Sequence, residues 1–234
     1  MTSGANLDRT WAIVPLRGLE DAKTRLGGAL DAEERLELVT TMAIRTLSAT
    51  RDAARLSGTV LVTADPAAAR LAERFGATTL VQRLPGLNAA LREARTVALA
   101  AGASGTVIVP IDLPAIGAEA LDDVLARAGD AARAGAPAEM GDPSETGIAT
   151  DPTRERGIVI LVPDHHGTGT NVLLTSPPGV IDPAFGEGSR QAHSLAAQHA
   201  GAMYLELAGP LAIDIDTSDD LLASGNVGGG SDAA

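Results

Sequence analysis

Two acidic positions, each following a short apolar run, are the parts of this sequence best suited to chemistry. Asp112 comes directly after Gly105-Thr-Val-Ile-Val-Pro-Ile111, and Asp214 and Asp216 sit at the end of the run that begins at Ala212. A carboxylate at the end of a strand projects into the edge where parallel sheets bind their ligands. Two such carboxylates across a cleft are hard oxygen donors suited to Mg²⁺, which keeps some waters and shares phosphate oxygens. The sequence does not choose between Asp214 and Asp216, since Asp216 could instead cap a helix starting at Thr217. Asp112 could likewise be a turn or cap residue before Pro114.

The cations are as distinctive. Arg17, Lys23 and Arg25 lie in the polar segment after Trp11-Ala-Ile-Val-Pro-Leu16, with one Gly before Lys23. That spacing is neither a dinucleotide fingerprint nor a P-loop, so side-chain charge must supply what a Gly-rich backbone cradle supplies elsewhere. Of the 18 basic residues, 17 are Arg and one, Lys23, is Lys. A compact ammonium on a flexible stem is what arginine cannot replace. Gly86-Leu87-Asn88 sits at a loop-to-helix junction, where Gly permits close approach of a flat base and Asn offers donor and acceptor to a purine edge. A plain turn with Asn as helix cap is the alternative. Gly167-Thr-Gly-Thr170 reads as a flexible hydroxyl-bearing loop. Gly186 and Ser189 open a helix whose free N–H groups favour an anion, or simply cap it after a turn. The adjacent His165 and His166 are expected to face solvent, not to bind zinc.

The elements that position these residues alternate. Strands are predicted at 11–16, 59–63, 78–81, 105–111, 157–162, 170–174, 204–207 and 212–215. Helices are predicted from Asp31, where Asp31 and Glu34 form a capping box, and over 67–75, 87–101, 118–128 and 189–199. Alternation with continuous apolar strands predicts an α/β fold, a three-layer Rossmann-like arrangement around a mainly parallel sheet. One domain over 11–225 is expected, with a polar N-terminal tail at 1–10, a flexible insert at 129–156 that lacks periodicity, and a Gly-rich tail at 226–234.

Composition narrows the partners. The chain has 234 residues, 45% of them apolar and 2% aromatic, and no cysteine, so disulfides and thiolate metal sites are excluded. A net charge of −12 argues against nucleic acid, and no apolar run approaches the roughly 20 residues that span a bilayer. The polar start lacks the apolar core of a secretory signal, so a cytoplasmic location is expected. A homodimer is compatible with this size.

Taken together, Pro15-Leu-Arg-Gly-Leu-Glu-Asp-Ala-Lys-Thr-Arg-Leu26, Gly86-Leu-Asn-Ala-Ala-Leu91, Val109-Pro-Ile-Asp-Leu-Pro114, Gly167-Thr-Gly-Thr-Asn-Val-Leu173, Phe185-Gly-Glu-Gly-Ser-Arg190 and Ile213-Asp-Ile-Asp-Thr-Ser-Asp-Asp-Leu221 resemble one family. It is the 2-phospho-L-lactate or phosphoenolpyruvate guanylyltransferases, which make a precursor of coenzyme F-420. The resemblance spans about Trp11 to Leu222 and implies the nucleotidyltransferase version of the three-layer fold. It implies GTP held by Pro15, Arg17, Lys23, Arg25, Gly86 and Asn88, with Lys23 on the triphosphate. Lys23 and Asp112 would be catalytic, and Asp112 with Asp214 or Asp216 would hold Mg²⁺. Thr170, Gly186 and Ser189 would bind the acceptor, a small phosphorylated carboxylic acid. Phosphoenolpyruvate is favoured over 2-phospho-L-lactate and 3-phospho-D-glycerate because the Ala-, Gly- and Arg-rich composition looks bacterial. The family often has Lys where this chain has Arg17. A transferase using CTP or a molybdopterin acceptor, or a non-catalytic nucleotide-binding protein, are the alternatives.

Overall fold

The computed structural model describes residues 5–19, 30–83, 85–134 and 157–215. Its centre is Thr10–Pro15 (β1), whose Ala12, Ile13 and Val14 are fully buried. A strand this apolar on both faces has to be covered on both faces. It pairs in parallel with Leu56–Thr63 (β2) on one side and with Gly105–Ile108 (β4) on the other. Thr78–Val81 (β3) extends the sheet beyond β2, also in parallel.

Beyond β4 the direction changes. Ile158–Pro163 (β5) and Thr170–Ser176 (β6) are joined by a short loop, so they must be antiparallel. Thr170–Ser176 inserts between β4 and β5 and runs antiparallel to both. Met203–Glu206 (β7) closes the edge, parallel to β5. The seven-stranded order is β3-β2-β1-β4-β6-β5-β7. The expected mainly parallel sheet is therefore mixed at β6.

The helices follow from their caps and apolar faces. Ala32–Asp52 (α1) starts at the predicted capping box: Asp31 accepts from the N–H groups of Glu33 and Glu34 at 2.9 Å, and Glu34 accepts from the Asp31 N–H at 2.8 Å. Pro66–Glu73 (α2) is capped by Asp65, with Pro where its missing N–H costs nothing. Leu87–Ala100 (α3), Ala118–Ala134 (α4) and Ser189–His199 (α5) complete the set. α1, α2 and α4 pack on the sheet face that carries Ala12 and Val14, while α3 and α5 pack on the face that carries Ile13. Among the described residues, no helix is long and apolar enough to cross a membrane.

Among the boundaries that differ from expectation, three have a local cause. The β4 ladder stops at Ile108, not Ile111, because Pro110 has no N–H to donate; the last bond of the run is from Val109 N–H to Ile13 C=O at 3.0 Å. α4 continues to Ala134, past residue 128, because Ala131 still finds a buried place on its apolar face. Residues 212–215 form no strand: Pro210–Ala212 is one turn of 3₁₀ helix, and the chain then runs extended to Ile215. Part of the expected N-terminal tail is also fixed, since Ser176 Oγ donates to Asn6 C=O at 2.8 Å and Arg9 N–H to Ser104 Oγ at 3.1 Å.

Leu121 is fully buried between α4 and the sheet. Leu121→Ala should cost about 3 kcal/mol in chemical denaturation, from lost transfer energy plus the cavity left behind. A loss under about 1 kcal/mol would show that this layer collapses around the gap.

Candidate functional site

The carboxyl ends of β1 and β4 and the amino end of the reversed β6 meet at one edge of the sheet. There a cleft of about 180 Å³ is lined by Pro15, Pro110, Asp112, Thr170, Asn171 and Asp214, and walled by Leu87, Leu91, Ile108 and Phe185. Pro15, Asp112, Thr170 and Asp214, all named from the sequence, thus share one cavity. A separate, wider hollow of about 600 Å³ lies between Arg17–Leu19 after β1, Leu36 and Thr40 of α1, and Ala64, Asp65 and Ala67 after β2.

The two acids come together through the backbone. Ile215 N–H donates to the Asp112 carbonyl at 3.0 Å, which binds the 213–215 segment to the end of β4 without any strand. Asp214 is then held in place from two sides. Its Oδ1 lies 3.1 Å from His165 Nδ1 and accepts a longer bond, 3.4 Å, from Asn171 Nδ2. Asn171 Nδ2 also donates to Leu211 C=O at 3.0 Å. His165 is exposed, as expected, but it also engages Asp214, and its ring lies 3.7 Å from that of His166. Two half-buried carboxylates on one cleft fit a hard divalent cation that completes its shell with water and phosphate oxygens. Asp216 lies outside the described residues.

Of the cations expected to meet GTP, Arg17 is exposed at the rim of the wider hollow, while Lys23 and Arg25 lie outside the described residues. The segment after β1 is anchored by Asp65. Its Oδ2 accepts from Leu19 N–H at 2.9 Å while Oδ1 caps α2 through Ala67 N–H at 2.7 Å. The Leu19 N–H first, and then that of Ala67, hold this carboxyl below the usual carboxylate range. Gly86 has φ of +96°, so the turn into α3 requires Gly. Asn88 is not the helix cap, a place that Gly86 takes. Its Nδ2 donates to Phe185 C=O at 2.9 Å and its Oδ1 accepts from Phe185 N–H at 2.8 Å, which ties the amide to one residue of the facing loop and leaves one N–H and one lone pair.

The loops expected to bind the acceptor are more constrained than predicted. Asp164 Oδ1 accepts from the N–H groups of Thr168 and Gly169 at 2.9 Å, and Arg190 NH1 donates to Gly167 C=O at 2.8 Å. Arg190 is itself fixed by two bonds to Glu206, at 2.9 and 2.7 Å. The segment expected to be flexible is therefore tied at both ends. Gly186 (φ +131°) follows Phe185 of the cleft wall, and Ser189, 1% exposed, opens α5 behind Gly188 (φ +70°). The first helix N–H groups are partly used internally: Ser189 N–H bonds Gly186 C=O at 3.1 Å and Arg190 N–H bonds Thr168 C=O at 3.2 Å. The expected anion pocket at this helix start is narrowed accordingly.

Residues 10–146 match the family model for guanylyl transferase, CofC like. A phosphoenolpyruvate guanylyltransferase of Sphaerobacter thermophilus is 37% identical over 91% of this chain and 90% of its own. The chain belongs to the CofC-like guanylyl transferases. A phosphoenolpyruvate guanylyltransferase of Rubrobacter xylanophilus is 34% identical over 93% of this chain and 95% of its own. A solved nucleotidyl transferase from Methanothermobacter superposes with a TM-score of 0.56 at 14% identity, over 92% of this chain and 95% of that one. That likeness shows the fold alone.

In this CofC-like nucleotidyltransferase, one side chain in contact with the cleft's lining had no signal in the sequence beyond a lone His on an inward helix face. His193 is fully buried. Its Nε2 accepts from Ala184 N–H at 2.9 Å, its Nδ1 lies 3.0 Å from Thr170 Oγ1, and its ring meets that of Phe185 edge-on at 5.2 Å. Burial lowers its pKa to about 4. The unfolded chain therefore binds this proton below about pH 6.5 while the folded one does not, and stability is lost as pH falls from there towards 4. In His193→Gln that slope is absent. The stability gap between the two proteins, from urea titrations, should shift by about 2 kcal/mol between pH 7 and pH 5, against the wild type. An unchanged gap would contradict the buried neutral imidazole.

Proposed function

We propose that this CofC-like transferase joins the GMP part of GTP to the phosphate of phosphoenolpyruvate and releases pyrophosphate, a step towards coenzyme F-420. The observation that carries the reading is the placing of Asp112, Asp214 and Thr170 on one cleft at the sheet's ligand edge. The acceptor choice is supported by what the two relatives are called.

An oxygen of the acceptor phosphate forms a bond to the α-phosphorus of GTP, and the bond from that phosphorus to the bridging oxygen breaks. Pyrophosphate leaves with the electron pair. The attacking group is already an anion, so no strong general base is needed. The protein's part is positioning and charge neutralisation. Asp112 and Asp214 would hold Mg²⁺, which when bound neutralises charge on the phosphates. Arg17, with Lys23 and Arg25 of the same segment, would face the triphosphate beside Pro15. Gly86 lets the chain pass close to the base, and Asn88 serves this site by holding Phe185. Thr170, Gly186 and Ser189 would meet the acceptor.

Incubation with GTP, Mg²⁺ and phosphoenolpyruvate should release pyrophosphate. Asp112→Asn and Asp214→Asn should each lower the rate at least about tenfold to a hundredfold while the fold persists, as other losses at metal sites do. Replacing the acceptor by 2-phospho-L-lactate or 3-phospho-D-glycerate should lower kcat/KM. No pyrophosphate with any of the three acids, or full activity in Asp112→Asn, would refute the reading.

A further inference from the structure

We propose that His193 is a positioning residue that keeps the hydroxyl proton of Thr170 free to be donated to the acceptor acid. The argument starts at Ala184, whose backbone N–H can only donate. It lies 2.9 Å from His193 Nε2, so that nitrogen must carry a lone pair. A neutral imidazole has one proton, and it is then on Nδ1. Nδ1 lies 3.0 Å from Thr170 Oγ1, so the imidazole donates and the hydroxyl accepts. The reverse arrangement, with Thr170 donating to Nδ1, would put a proton on Nε2 and set two donors head to head at Ala184. The hydroxyl proton of Thr170 must therefore point elsewhere, and none of the described residues accepts it.

Thr170 lines the cleft that holds Asp112 and Asp214. With one lone pair taken by the N–H of buried His193, the hydroxyl keeps its proton for a ligand in the cleft. That suits an anionic oxygen, phosphate or carboxylate. Hydrogen bonds to charged oxygens are the stronger kind. The lowered pKa of His193 keeps the ring in the required neutral form at ordinary pH. The same ring holds Ala184 while Asn88 holds Phe185, so two consecutive residues of the acceptor-side loop are pinned from α5 and from α3.

The proposal rests on the reading that Thr170 meets the acceptor, and two measurements separate it from that reading. The first needs no substrate: nitrogen-15 NMR of the histidine rings in the unliganded wild type should find His193 in the Nδ1–H form. The Nε2–H form would overturn the proposal and leave the transferase reading intact. The second is a double-mutant cycle with His193→Gln and Thr170→Val, which reports coupling that independent structural roles would not produce. Gln can still accept from Ala184 but has no donor that reaches Thr170. Each single variant should raise KM for phosphoenolpyruvate about tenfold, with KM for GTP changed less than about twofold, as expected when one hydrogen bond to the acceptor is removed. The double variant should be no worse than Thr170→Val alone. Effects that multiply, or an equal rise in KM for GTP, would overturn the proposal even with a correct tautomer. If His193→Gln fails to fold, Thr170→Ser takes its place beside the NMR result. It keeps the hydroxyl and should hold the acceptor KM within about threefold of wild type, where Thr170→Val loses about tenfold. A serine variant as impaired as the valine one would overturn the proposal. A wild type inactive with all three acids overturns the transferase reading, and the substrate half of this proposal with it.

Discussion

The site depends on the reversal of β6. Because this strand lies antiparallel between β4 and β5, its amino end and the carboxyl end of β4 arrive at the same edge. The register pairs Ile108 with Leu173, and continued along the same line it brings Thr170 level with Ile111, one residue before Asp112. A parallel strand in that place would have sent Thr170 to the opposite edge. The short 164–169 loop enforces the reversal, and Asp164 and Arg190 hold that loop by its backbone. Pro110 then ends the β4 ladder, which frees the chain to turn and lets the Asp112 carbonyl take Ile215 as its partner.

From that edge the loops around the cleft are linked by polar side chains. Asn88 joins the turn at the start of α3 to Phe185, and His193 joins Ala184 to Thr170. Asn171 of β6 and His165 of the 164–169 loop that precedes it are joined to Asp214. Such links fix these segments against one another. They are also sensitive to substitution: a buried amide or imidazole removed from such a pair leaves a peptide group without its partner, which costs about 1–3 kcal/mol.

Much of this was legible in the sequence where one local signal sufficed. The capping box at Asp31, the Asp65-Pro66 start, the continuous apolar strands and the acid after β4 each follow from residue type and spacing within a few positions. What was not legible depends on residues far apart in the chain. Asn88 at a helix start looks like a cap or a base contact; only the approach of Phe185, 97 residues on, makes it a clamp. His193 reads as one inward His among apolar neighbours until Ala184 and Thr170 give each ring nitrogen a role. The 212–215 run has strand-forming residues, yet the Gly209-Pro210 turn and the single bond to Asp112 place it outside the sheet. Lys23, Arg25 and Asp216 lie outside the described residues, so their part rests on the sequence.

The central claim is that Asp112 and Asp214 together hold the divalent ion against which GTP is bound. Crystals grown with Mn²⁺ and a GTP analogue that resists cleavage would test it through the anomalous signal of the metal. The account predicts a peak within coordination distance of both carboxylates and of a phosphate oxygen. Nucleotide bound with the metal away from either Asp112 or Asp214 would contradict it.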